Sequence, residues 1–167
     1  MSAPLHLRSA TVTDVPLILE LIRGLAEYER LPHEVVATEA LLADQLFGEQ
    51  PGAEVLLAEW QGEPVGFALF CHNFSTFLGR RGLWLEDLFV VPTCRGRGIG
   101  RALLAELARV AVARGAGRLE WSVLKWNVDA IGFYRSLGAR PMDEWTTFRL
   151  TGDALDQLAT EAGTAAG

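Results

Sequence analysis

The chain has 167 residues, about one domain's worth, and half of them are hydrophobic, so it can bury a full core. No apolar run approaches the roughly 20 residues of a membrane span, and the N-terminal "MSAPLHLRSAT" lacks the charged-then-apolar pattern of a secretory leader. A net charge of -6 argues against nucleic acid as the main partner.

Cys71 and Cys94 stand in no metal-like spacing and read as unpaired thiols in a reducing, cytoplasmic setting. His6, His33 and His72 likewise show no metal spacing, so no metal is expected. Residues 95–118 carry Arg95, Arg97, Arg101, Arg109, Arg114 and Arg118 against Glu106 alone, a net +5 that leaves the rest of the chain at -11. A basic patch in an acidic protein suits an anionic cofactor combined with a cationic substrate. Arg109 and Arg114 read instead as helix-surface side chains.

In chain order, "LHLRSA" alternates as a first strand. Thr13 or Asp14 caps a helix whose apolar face is Val15, Ile18, Leu19, Ile22, Leu25 and Ala26, and whose end carries Tyr28, Glu29 and Arg30. A short helix from about Thr38 to Phe47 follows. "EVLLAEW" and "PVGFALFCHNF" form a hairpin across Gln61–Pro64. "GLWLEDLFVVP" is a central, buried strand ended by Pro92. Its adjacent Glu86 and Asp87 need partners, a bulge or a cavity to be tolerable there.

A helix runs from about Ile99 to Arg114, with Gly115 past its C-cap. "RLEWSVLK" is the next strand, and Asn127 caps a helix that closes at Gly138. "EWTTFRL" is a last strand and Asp153–Ala159 a last helical turn or two. Strand–helix–strand in the middle implies parallel pairing and the hairpins antiparallel pairing, hence a mixed α/β sheet.

"TCRGRGIGRALL", Thr93 to Leu104, places a glycine loop between a strand and a helix. Successive N–H groups and the helix N-terminus there suit an anion. A phosphate-binding NTPase loop is excluded, because the chain's only lysine is Lys125. A G-x-G-x-x-G fingerprint fails as well: the third glycine's place falls on Arg101 or Leu103.

The segment does match R-x-x-G-x-G, with Arg95, Gly98 and Gly100. With "LEDLFVVP" before it and "NVDAIGFYRSLGA" after, the chain resembles the GNAT superfamily of acetyl-CoA-dependent N-acetyltransferases. "LAEYE", "LEDLFV" and "NVDAIGFYRSLGA" resemble the spermidine/spermine and thialysine (diamine) branch in particular. The resemblance implies a single domain over 1–160 with a flexible tail at 161–167. It implies a central mixed, twisted sheet of about seven strands, splayed around the cofactor and flanked by helices. It also implies a homodimer.

The resemblance assigns Arg95, Gly96, Arg97, Gly98, Ile99, Gly100 and Arg101 to the coenzyme A pyrophosphate. Leu88, Phe89 and Val90 would hold the pantetheine arm through their backbone, like a guest strand. Asn127 and Tyr134 would also contact acetyl-CoA, and Asn127 can serve as an N-cap at the same time. Glu86 stands at the position of the base, acting through water, and Tyr134 at that of the group assisting the leaving thiolate.

Tyr28, Glu29, Glu86, Asp87, Glu120, Trp121 and Ser122 match substrate-contact positions. Strand alternation, however, puts Trp121 on the face opposite its neighbours. The implied reaction is direct attack of a small cationic amine on acetyl-CoA in a ternary complex, the acceptor being a polyamine, thialysine or lysine-like amine. Acetylation of a protein lysine or N-terminus, or a non-catalytic acyl-CoA sensor, are the alternatives.

Overall fold

The computed structural model describes residues 4–162. By contacts it consists of two compact units, divided after Leu124.

The first unit holds a five-stranded sheet in the order β1-β2-β3-β4-β5. The strands are β1 (Leu5–Ser9), β2 (Glu54–Trp60), β3 (Glu63–Ser75), β4 (Arg80–Val90) and β5 (Leu119–Trp121). The first four pair antiparallel, and β4 pairs parallel with β5. Helices α1 (Val15–Tyr28) and α2 (Glu39–Phe47) join β1 to β2, and α3 (Ile99–Ala113) is the crossover from β4 to β5. The fold class is therefore α/β with a mixed sheet, as the sequence implies.

Helix α1 starts where a capping box can form. The Thr11 N–H donates to Asp14 Oδ2 at 2.7 Å, and Arg8 clamps the same carboxylate at 2.8 and 2.9 Å. Arg8 Nε also reaches Glu59 on β2 at 2.6 Å, so one side chain ties two strands to the helix start. The hydrogen bonds from Arg8 hold the Asp14 carboxyl down at about 2. Along α1 the buried positions are Val15, Ile18, Leu19, Leu21, Leu25 and Ala26; Leu21 joins the expected face, and Ile22 packs against the same core while partly exposed. Ile18, Leu21 and Leu25 pack with Leu46, Val55, Leu57, Phe67 and Phe89 into one core. Each such side chain stabilises the fold by roughly 1.5–3 kcal/mol. Gly24 lets α1 approach closely: a Cβ there would stand 3.0 Å from the Phe89 ring. That approach brings the end of α1 to the C-terminal half of β4.

The expected count of about seven strands is too high among the described residues. "RLEWSVLK" contributes only the three residues of β5, and residues 144–150 form no strand. The reason is physical. A strand exists only where a neighbour accepts its hydrogen bonds and a surface covers alternate side chains. Trp145 and Phe148 in this segment are 74% and 92% exposed, so apolar alternation alone does not make it a strand.

The second unit contains α4 (Val128–Ser136) and α5 (Gly152–Thr160). The Asn127 side chain caps α4, accepting from Ala130 N–H at 3.3 Å. Gly138 follows the helix at φ 89°, the left-handed conformation of a helix stop. The tail expected from 161 lies largely outside the described residues.

Candidate active site

Two irregularities of the sheet create the site. The first is a bulge in β4. Leu69 pairs with Asp87 and Phe70 with Leu85, so Glu86 is the extra residue without a cross-strand partner. A bulge re-aims the side chain it carries and is over-represented beside active sites. It resolves the difficulty of two adjacent carboxylates in a central strand: Glu86 turns out to solvent while Asp87 stays half-buried within the ladder.

The second irregularity is a parting of strands. β5 pairs only with Leu83, Trp84 and Leu85. Past that point, Val91 N–H still bonds Val65 of β3 at 2.8 Å. Backbone direction alternates along a strand, so Leu88 and Val90 face the other edge, where β5 no longer pairs. These are the positions assigned to a guest strand, with Phe89 between them pointing its backbone at β3 and its ring into the core.

Beyond β4, Gly96 and Gly98 adopt φ 76° and 78°, and Gly98 is the N-cap of α3. Left-handed conformation at these positions requires glycine in practice. A Cβ at Gly96, Gly98 or Gly100 would meet nothing within 4 Å, so the loop is an uncovered cradle of backbone N–H groups. Ile99 is buried and anchors it, and Gly100 and Arg101 form the first turn of α3. Arg97 lies over the Trp60 ring, 5.4 Å from its centroid. Arg95 turns toward α1 instead, over Tyr28 at 4.4 Å and Phe89 at 5.6 Å, and its Nε donates to the Val90 carbonyl at 2.9 Å.

The acidic side chains gather where α1 ends. Tyr28 is the last residue of α1 and Glu29 its C-cap. Burial raises the Glu29 carboxyl above its ordinary range. The Asp87 carboxyl is pushed up to about 6, by burial first and then by the charges of Glu86 and Glu29. Three carboxylates thus share one region near the end of α1, and the charges of Glu86 and Glu29 add to burial in opposing the ionisation of Asp87. A cation placed among them offsets those charges.

Glu120 is differently engaged: its Oε1 accepts from Arg118 Nε at 2.8 Å and from Asn73 Nδ2 at 3.2 Å. Trp121 ends β5 and Ser122 follows it. In the second unit Asn127 caps α4 and Tyr134 lies on the same helix, its ring 5.6 Å from that of Phe133.

Three neighbours escaped the sequence reading. Trp84 Nε1 donates to Glu86 Oε2 at 2.7 Å. Trp60 supports Arg97. Burial, then the charge of Glu86, raises the half-buried Cys71 thiol. Only Trp84 had a legible signal, standing two residues before Glu86 and hence on the same strand face. Among the described residues no cluster of His, Cys, Asp and Glu could hold a metal ion.

The model of the acetyltransferase (GNAT) family matches residues 18–139. Thialysine N-epsilon-acetyltransferase of Bos taurus is 42% identical over 165 residues, covering 92% of this chain and 96% of that protein. L-ornithine N5-acetyltransferase of Arabidopsis thaliana is 36% identical over 198 residues, covering 92% and 87%. Among solved structures, an integron cassette protein from the mobile metagenome of V. cholerae is similar with a TM-score of 0.77 at 28% identity, covering 95% of this chain and 99% of its own.

Proposed function

Because the chain belongs to the acetyltransferase (GNAT) family and is an N-acetyltransferase of its diamine and thialysine branch, we propose that its acceptor is a small primary amine carrying a further cationic group. Thialysine, ornithine, lysine and short polyamines share that chemistry. The observation that carries the proposal is the cluster of Glu29, Glu86 and Asp87 at the end of α1, in which burial first, and then the charges of Glu86 and Glu29, hold Asp87 at about 6. A distal ammonium offsets those charges and gains a carboxylate partner.

Acetyl-CoA is the donor in this proposal, and the residues present fit it. The uncovered cradle of Gly96, Gly98 and Gly100 would take the pyrophosphate, aided by the α3 N-terminus and by Arg97 and Arg101. Leu88 and Val90 would pair with the pantetheine amides along the edge that β5 leaves. When bound, acetyl-CoA supplies an acetyl carbon bonded to sulfur; transfer forms the C–N bond and breaks the C–S bond, leaving coenzyme A as its thiol.

The chain's own work concerns protons. An alkyl ammonium of pKa about 10.4 must lose one before it can attack. Glu86, turned out of the ladder by the bulge, accepts it directly or through water and passes it to solvent. Burying the acceptor among low-dielectric walls lowers the amine's pKa and eases that transfer. The Tyr134 hydroxyl donates to the departing sulfur. A full proton transfer from a phenol of pKa about 10 to a thiolate whose thiol has pKa about 8.5 is uphill by roughly 2 kcal/mol. Tyr134 therefore acts at least as much by hydrogen bonding. A homodimer in the cytosol, with residues 1–160 working as one transferase domain, completes the reading.

The test is release of free thiol from acetyl-CoA against a panel of thialysine, ornithine, lysine, spermidine, mono-amines and lysine-containing peptides. The expected outcome is turnover with the diamines and little with mono-amines of equal length. Turnover with peptides alone would overturn the small-acceptor reading in favour of protein acetylation. No turnover, with acetyl-CoA still bound, would favour a sensor.

A further inference from the structure

The bulge that frees Glu86 also loosens it. A glutamate without a cross-strand partner has three side-chain torsions to fix before its carboxylate can meet a particular proton, and each ordered rotor costs entropy. Trp84 removes that freedom. Its Nε1–H donates to Glu86 Oε2 at 2.7 Å, the short range of a hydrogen bond to an ionised acceptor.

Trp84 is itself well seated. It pairs across the ladder with Cys71 and in parallel with Glu120 of β5, one residue before β4 and β5 part, and it is half-buried. An indole has two side-chain torsions, so little more is lost in holding it. The chemistry of the contact is also selective. An indole N–H donates and cannot accept, so Trp84 orients the carboxylate without competing for the proton that Glu86 must take. Because the bond engages Oε2, Oε1 is left to meet the amine or an intervening water. The charge of Glu86 is felt at the Cys71 thiol, in keeping with a carboxylate held over this part of the sheet.

We propose that Trp84 is a positioning residue for proton abstraction, its indole N–H holding the Glu86 carboxylate by one oxygen so that the other receives the acceptor's ammonium proton. The proposal rests on the reading of Glu86 as the base. The balance is simple: one N–H bond of the ammonium breaks, one O–H bond forms on Oε1, and the amine keeps the electron pair.

The experiment compares steady-state kinetics of Trp84→Phe, Glu86→Gln and the double variant, with thialysine and acetyl-CoA as substrates. Trp84→Phe should lower kcat about tenfold, the scale of a hydrogen bond to a charged group, and leave the KM for acetyl-CoA within about twofold. In the Glu86→Gln background the same change should cost nothing further, which a merely structural role would not produce. Should Trp84→Phe misfold, benzothienylalanine at position 84 keeps the bicyclic shape and lacks only the donor; the same loss of kcat is expected.

A normal kcat in the Trp84 variants alongside a slow Glu86→Gln overturns the positioning role alone. Independent, multiplicative losses in the double variant do so too. A normal kcat for Glu86→Gln overturns the base assignment itself, and the positioning role with it.

Discussion

The guanidinium of Arg95 lies 4.4 Å from the centroid of the Tyr28 ring, while its Nε holds the Val90 carbonyl at 2.9 Å. The first residue of the glycine-loop motif is thus packed on the last residue of α1, across 67 positions of sequence. Stacking of this kind contributes about 0.5–1 kcal/mol at exposed sites. A double-mutant cycle of Arg95→Gln and Tyr28→Leu, read by urea denaturation, should return a coupling of that size. Tyr28→Phe should keep it. Strict additivity would show that the stack contributes nothing in solution.

Asp87 sets a pH dependence whose sign is fixed by its burial. With its carboxyl raised from 3.8 to about 6, the folded chain binds this proton more tightly than the unfolded chain does. The stability it contributes is fully present below the unfolded value and is lost as pH rises through about 6. Asp87→Asn should therefore be more stable than the wild type at about pH 8, by on the order of 3 kcal/mol. The difference should vanish below about pH 4. Denaturation at these pH values checks the stability, and acceptor kinetics check the function. Wild-type kcat/KM for a cationic amine should rise as pH passes about 6, and Asp87→Asn should lose that rise.

Gly98 holds φ 78° at the N-cap of α3, with open space where a side chain would project. Gly98→Val should cost roughly 1–2 kcal/mol in backbone strain and fill the cradle. Calorimetric titration should show acetyl-CoA binding weakened at least about a hundredfold, with circular dichroism confirming that the fold persists. Binding at wild-type affinity would remove the loop from the cofactor site.

Tyr134→Phe should lower kcat by about 10²- to 10⁴-fold, the range for loss of a general acid. Acetyl-CoA affinity should stay within about twofold, because the ring is retained. A wild-type rate would remove the hydroxyl from the mechanism.

Much of this was legible locally. The α1 face and the glycine loop are read from spacing alone, because helix periodicity and left-handed glycines are properties of a few consecutive residues. The side chains that frame Glu86 were not legible in the same way. "LWLEDLF" offers two carboxylates and a tryptophan, but which of them leaves the ladder depends on where β3 places Leu69 and Phe70. The missing strand at residues 144–150 has the same origin: its alternation was visible, and its need for a neighbour was not.

Composition and local pattern were enough to establish a mixed α/β fold, a glycine loop between β4 and α3 and an excess of acid elsewhere. They could not place Glu29 against Asp87, or choose Trp84 as the partner of Glu86. Those depend on strand register and on desolvation. Both are set by residues tens of positions apart that meet only when α1 packs across β4 and β5 parts from it after Leu85.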